Sequence, residues 1–161
     1  MNFKIRKAQA DDMAVVLRMI KELAEFEKEP DAVEITVDDL IAYGTGKDPD
    51  FTCFMAEDES GVVGIALVYF RFSTWKGRTV HLEDLIVKQE KRGLGIGMAL
   101  YAEVIKYADS LGVKRVEWVV LDWNKSAIDF YKASGANVME EWHTVQMDSE
   151  GMKKFLRSRD N

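Results

Sequence analysis

The sequence predicts a mixed α/β fold built on one mostly antiparallel sheet flanked by helices. Three observations carry that expectation. Two helical patterns come early, strand-like apolar runs dominate the middle, and the second half alternates strand with helix.

Residues 3–8 have the pattern of a first strand. Asp11 or Asp12 then caps a helix running to about residue 27, with Val16, Ile20 and Leu23 at helical spacing. Thr36-Val37-Asp38-Asp39 has the form of a capping box, opening a short helix that stops at the Gly44-Thr45-Gly46 turn. Residues 51–57 and 62–72 read as strands, and the Glu59-Ser60-Gly61 turn is short enough to pair them as an antiparallel hairpin. A further strand is expected at 79–87. The helix expected at 98–110 carries Leu100, Tyr101, Val104, Ile105 and Ala108 on one face and ends at Gly112. Beyond it, residues 115–121 read as a strand and 126–134 as a helix closed by Gly135. About 142–147 reads as a last strand, and 153–159 as a basic tail, either disordered or reaching a partner subunit. No linker, repeat or low-complexity segment interrupts the chain, so one domain spanning 1–161 is expected.

Composition excludes several function classes. The formal net charge is −6 with no basic block, which argues against a nucleic-acid footprint. No apolar run approaches the ~20 residues that span a bilayer, and the first residues lack the apolar core of a signal peptide. The single cysteine, Cys53, excludes an internal disulfide framework and fits a reducing cytoplasm. It sits in a strand pattern and is expected to be a small buried side chain rather than a nucleophile. His81 and His143 lie far apart with no cysteine beside either, so no metal site is expected.

The most informative stretch is Arg92-Gly93-Leu94-Gly95-Ile96-Gly97, followed by Met98. It joins a strand to the start of a helix. Alternate glycines let backbone N–H groups point at an anion, the helix start adds unpaired donors, and Arg92 adds a full positive charge. The loop lacks the Gly-Lys-Ser/Thr ending of a P-loop, and Met98 stands where a dinucleotide fingerprint needs its third glycine. The pattern present is Arg-x-x-Gly-x-Gly. Taken alone, it also suits a strand-to-helix turn that binds nothing.

That spacing resembles the pyrophosphate loop of the GNAT superfamily of acetyl-CoA-dependent N-acetyltransferases. The resemblance extends over nearly the whole chain. His81-Leu82-Glu83-Asp84-Leu85-Ile86-Val87, Leu121-Asp122-Trp123-Asn124, Phe130-Tyr131-Lys132 and Gly135-Ala136 resemble the spermidine/spermine acetyltransferase branch. Within it, Ser73-Thr74-Trp75-Lys76-Gly77-Arg78-Thr79 and Leu121-Asp122-Trp123-Asn124 are most similar to thialysine N-acetyltransferase-type members. The resemblance implies the GNAT fold with a splayed strand pair holding acetyl-CoA as co-substrate, a small-molecule amine acceptor and a homodimer.

It also implies roles. A primary ammonium with a pKa near ~10 must lose a proton before it can attack a thioester, and the departing thiolate must gain one. Glu83 matches the base, directly or through water, and Tyr131 the acid. Read from the sequence pattern alone, Glu83 and Asp84 are also ordinary strand-end charges, and Phe130 and Tyr131 ordinary core aromatics. Leu85, Ile86 and Val87 match the strand that lines the acetyl group and pantetheine arm, while Arg92, Gly93, Leu94, Gly95, Ile96, Gly97 and Met98 match the pyrophosphate loop. Asn124, Lys125, Ser126 and Ala127 match the far edge of the arm, and Asn124 equally suits a helix N-cap. Phe26, Glu27, Trp75, Glu83, Glu117, Trp118, Val119 and Glu141 match positions along the substrate channel. Glu140 is an alternative to Glu141, because the glycine usual before the tryptophan is missing here. Where polyamine-specific members carry aspartate two residues before the tryptophan, this chain has Ser73, which favours an acceptor with one free amine and an amino-acid head group. Two other functions stay open: acetylation of a protein lysine or N-terminus, and a non-catalytic CoA-binding sensor. Retention of both Glu83 and Tyr131 speaks against the sensor.

Overall fold

The computed structural model describes residues 2–159, which fall into two compact units, Met1–Val119 and Val120–Asn161. In the first unit, strand β1 (Lys4–Lys7) leads through a single 3-10 turn into helix α1 (Met13–Phe26). Arg6 ties this entry down: its guanidinium meets Asp12 at 2.7 and 2.9 Å and Glu57 at 3.1 Å, holding both carboxyls below their ordinary range. Helix α2 (Val37–Gly44) begins with the expected capping box, Asp39 N–H donating to Thr36 Oγ1 and Thr36 N–H to Asp39. Strands β2 (Phe51–Asp58), β3 (Gly61–Ser73) and β4 (Gly77–Val87) follow, then helix α3 (Ile96–Ser110) and strand β5 (Val116–Glu117).

The strands lie in the order β1-β2-β3-β4-β5. The first four are antiparallel neighbours, and β5 runs parallel to β4. Alternation sends Cys53, Met55, Ile65, Leu67 and Ile86 to one face, where Met13, Val16 and Met19 of α1 and Leu40 of α2 cover them. The other face carries Phe54, Ala66 and Val68 beneath α3, whose Leu100 and Val104 are completely buried.

Two irregularities shape β4. In its pairing with β3, Leu82 opposes Val68 and Asp84 opposes Leu67, so Glu83 is the extra residue of a β-bulge. Its pairing with β5 covers only Val80 and His81. The two strands part at the bulge, which is the splay the sequence implied. The strand expected at 115–121 is accordingly cut to Val116–Glu117.

The second unit holds helices α4 (Lys125–Ala133) and α5 (Ser149–Arg157). Asn124 caps α4 by accepting from Ala127 N–H at 3.3 Å. The strand expected at about 142–147 does not form: the chain there is irregular, with Val145 91 % exposed. Alternation alone does not make a strand, and the described part of this unit contains no other strand to pair with it. The expected tail is instead the body of α5, started by Asp148 accepting from Gly151 N–H at 2.7 Å.

Candidate functional site

Backbone geometry comes first. Beyond the bulge, Lys88 N–H donates to Val63 O, so Ile86 N–H also faces β3 and the amides of Leu85 and Val87 face the opposite edge. That edge is where β5 has already left. Before the bulge it is Val80 N–H that points toward β5, donating to Arg115 O. The extra residue therefore switches which amides face the splay from even-numbered to odd-numbered positions.

Immediately after β4, Gly93 (φ 75°) and Gly95 (φ 81°) adopt the left-handed region that disfavours a side chain. Gly95 is the N-cap of α3 and offers its first amides no side-chain partner. Arg92 donates from Nε to Val87 O at 3.0 Å, and its guanidinium lies 5.2 Å from the centre of the Phe26 ring at the end of α1. A strand edge with open amides, a turn of exposed N–H groups and a fixed cation suit an elongated ligand ending in phosphate. These are the features that acetyl-CoA requires, so the residues present fit it.

The side chains around Glu83 form the second part of the site. Because of the bulge, Glu83 and Asp84 both emerge on the face that α1 covers, where strict alternation would have parted them. Glu27, just past the end of α1, approaches the same pair. Burial pushes the Asp84 carboxyl from 3.8 up to about 7, and the neighbouring Glu83 and Glu27 charges add to the rise. Glu27 is raised for the same two reasons, burial first and then Glu83. Three carboxyls converging from α1 and β4 make a trap for a cation.

Asp84 gives a pH signature. In the folded chain it keeps its proton to a higher pH than in the unfolded one, so the native state binds more protons between about pH 4 and 7. Stability from this group is full below pH ~4 and is lost as pH rises through ~7. Asp84→Asn should remove that slope and raise stability at pH ~8 by roughly 1–3 kcal/mol, below the ~4 kcal/mol ceiling of the full displacement. Calorimetric melts of variant and wild type across the range check it; identical slopes would mean Asp84 is not held this way.

A chain of polar contacts flanks Glu83. His81, only 7 % exposed, has Nε2 at 3.5 Å from Glu83 Oε2 and Nδ1 at 3.4 Å from Arg71 Nη1. Arg71 Nη1 pairs with Glu117 Oε1 at 2.7 Å, and Arg115 Nε with Glu117 Oε2 at 2.9 Å. Tyr69 lies against the His81 ring at a centroid distance of 5.0 Å, and its phenol is pushed up by burial and by the Glu83 charge. Cys53 is buried, its thiol pushed up to about 12 chiefly by that burial, so it is no nucleophile at neutral pH.

The first unit thus brings together Phe26, Glu27, Glu83, Leu85, Ile86, Val87, Arg92 and the loop through Met98. Ile86 and Ile96 turn out to be core side chains, 4 % and 2 % exposed. Trp75 stands 80 % exposed at the tip of the β3–β4 hairpin, where Ser73 Oγ accepts from the amides of Trp75 and Lys76. Trp118 packs edge-on against Tyr101, and Val119 closes the unit. Glu117 is already held by two guanidinium groups. In the second unit, Lys125 Nζ donates to Asp122 O at 3.0 Å, Ser126 and Ala127 open α4, and Tyr131 meets Phe130 edge-on. Glu141 is exposed beside Glu140, which is 3.9 Å from Lys132. Asp84, Tyr69, Arg71 and His81 gather around Glu83 and were not among the site residues the sequence singled out. Adjacent strand residues normally face opposite ways, and nothing in Leu82-Glu83-Asp84 announces a bulge.

Among the described residues, no three His, Cys, Asp or Glu side chains are placed to hold a metal ion, and no helix is long and apolar enough to cross a membrane. Residues 17–136 match the Acetyltransferase (GNAT) family. The chain is 43 % identical to a thialysine N-epsilon-acetyltransferase of Bos taurus, over 94 % of this chain and 95 % of that one. It is 37 % identical to spermidine/spermine N(1)-acetyltransferase-like protein 1 of Homo sapiens, covering 92 % of this chain but 23 % of that one. Among solved structures, an integron cassette protein from the mobile metagenome of V. cholerae shares the fold at TM-score 0.78 and 22 % identity, over 98 % of this chain and 99 % of that one.

Proposed function

The chain belongs to the GNAT acetyltransferase family and is an acetyl-CoA-dependent N-acetyltransferase of small amines, and we propose that it acetylates a thialysine-like amino acid in preference to a long polyamine. The observation that carries this reading is the convergence of Glu27, Glu83 and Asp84, which attracts one ammonium group. Ser73 supports the preference: its hydroxyl is spent on the hairpin turn, so that position supplies no carboxylate for a second distant ammonium.

Acetyl-CoA supplies the acetyl group as an activated thioester. The Arg92 guanidinium and the amides of Gly93 to Met98 bind its pyrophosphate, and the outward amides of Leu85 and Val87 align the acetyl end. Glu83 takes the proton from the substrate ammonium, directly or through water, freeing the nitrogen lone pair to form the new C–N bond as C–S breaks. The family resemblance assigns to Tyr131 the return of a proton to the departing sulfur. Direct attack needs no acetylated side chain, which agrees with the burial of Cys53. The reading extends to a homodimer, supported by the family resemblance, and to a cytoplasmic setting, supported by the single cysteine.

Release of CoA against a panel of thialysine, lysine, putrescine, spermidine, spermine and a lysine peptide tests it. Turnover is expected to be highest with thialysine. Preference for spermine would overturn the inference from Ser73, and preference for the peptide would overturn the small-amine reading.

A further inference from the structure

We infer that His81 is the positioning residue of Glu83, and that an Arg115–Glu117–Arg71 chain across the sheet holds it in the tautomer this task requires. The inference rests on the assignment of amine deprotonation to Glu83. It starts from a difficulty in that assignment. Glu83 is the extra residue of a bulge, so no side chain on β3 lies opposite it, and its own side chain is 52 % exposed. Cross-strand contact there is reduced to the Tyr69 phenol, which hydrogen-bonds Glu83 from the neighbouring register position of β3. One hydroxyl alone leaves a half-exposed carboxylate free to turn, and a second group must fix it.

His81 lies two residues earlier on the same face, and its ring is buried against Tyr69. A guanidinium has donors and no acceptor, so Arg71 Nη1 at 3.4 Å from Nδ1 requires the Nδ1 lone pair to face it. The proton of the neutral ring then sits on Nε2, the nitrogen turned toward Glu83 Oε2 at 3.5 Å. Burial keeps the ring neutral by lowering its pKa from 6.5, and Arg71 works in the same direction against Glu83 and Glu117. Arg71 is more than half exposed and would otherwise be mobile, but it pairs with Glu117 at 2.7 Å, and Glu117 carries a second ion pair, with Arg115 at 2.9 Å, in which the buried Arg115 Nε makes no hydrogen bond.

The arrangement solves a conflict of charge. Holding a carboxylate with a cation would cancel the charge that attracts the substrate ammonium. Here the cation nearest the network is spent on Glu117, and only neutral donors, the Tyr69 O–H and the His81 ring N–H, face Glu83. The groups facing His81 are Tyr69 and Arg71 from β3, Glu83 from its own strand and Glu117 from β5.

Kinetics of His81→Leu and His81→Gln, each alone and combined with Glu83→Gln, test the inference with thialysine and acetyl-CoA as substrates. His81→Leu should lower kcat/KM for the amine by about tenfold, with acetyl-CoA affinity unchanged. Glutamine offers a carbonyl to Arg71 and an N–H toward Glu83, so His81→Gln should recover to within about threefold of wild type. In the Glu83→Gln background, His81→Leu should cost less than about twofold, because the residue it positions has been removed. If His81→Leu does not fold, His81→Asn replaces it: its shorter amide meets Arg71 but falls short of Glu83, and the same tenfold loss is expected. Equal losses in both backgrounds, or no rescue by glutamine, would overturn the positioning role. Full activity in Glu83→Gln alone would instead overturn the Glu83 assignment, and this inference with it.

Discussion

Glu83→Gln is expected to lower kcat/KM for the amine by about 10²–10³-fold while acetyl-CoA affinity stays within about twofold of wild type. Glutamine matches glutamate in shape, so the bulge and the approach of Tyr69 and His81 persist. What disappears is a negative charge and a proton acceptor. The two contributions separate in the pH profile. Without a base, the variant depends on amine that is already deprotonated, and its rate should climb steadily with pH toward the amine's own pKa near ~10. A residue that only anchored the ammonium would raise KM and leave the pH slope of kcat unchanged. The substitution also removes one of the two carboxylates that press on Asp84, so the Asp84 carboxyl should fall from about 7 toward its ordinary range. An unchanged rate with an unchanged profile would remove Glu83 from the chemistry.

Gly64→Val should cost about 3 kcal/mol of stability, lowering the melting temperature by roughly 6–12 °C. Gly64 pairs with Val87 at the end of β4, beneath α3. A Cβ there would sit 3.0 Å from Ile86 O and 3.0 Å from Leu100 Cδ1. The leucine can shift, but the carbonyl belongs to the strand ladder and can move only with β4. Relief therefore comes by pushing away the segment that carries the Leu85 and Val87 amides. Weaker acetyl-CoA binding should accompany the lost stability, and calorimetric melts with a titration of CoA measure both. Full stability with unimpaired binding would show that β4 does not bear the strain.

Much of this fold was legible because local chemistry and tertiary context agree. The Thr36 capping box, the Glu59-Ser60-Gly61 turn and the glycine loop each carry a signal within a few residues, and each forms where expected. The segment at 142–147 failed for the opposite reason: a strand exists only with a partner, and a sequence does not say where an edge will be. Glu83 and Glu117 were named through the pattern of motifs around them. Tyr69, Arg71 and His81 were not, because they meet those two only once the register of three strands is known. Asp84 was hidden by the alternation rule itself.

The bulge makes the length of β4 a functional quantity. Loops accept an inserted or deleted residue at little cost, because their ends need only remain within reach. Removing one residue between Leu82 and Asp84 would leave a strand just as regular, or more so, and just as able to pair with β3. Its inventory of residue types would hardly change. Yet the residue lost would be Glu83 itself, and Asp84 would be left as the single carboxylate that β4 brings to the α1 face. Exchanges of this strand between related enzymes must therefore carry residues 82–87 as one cassette, with crossovers placed before Leu82 or after Val87.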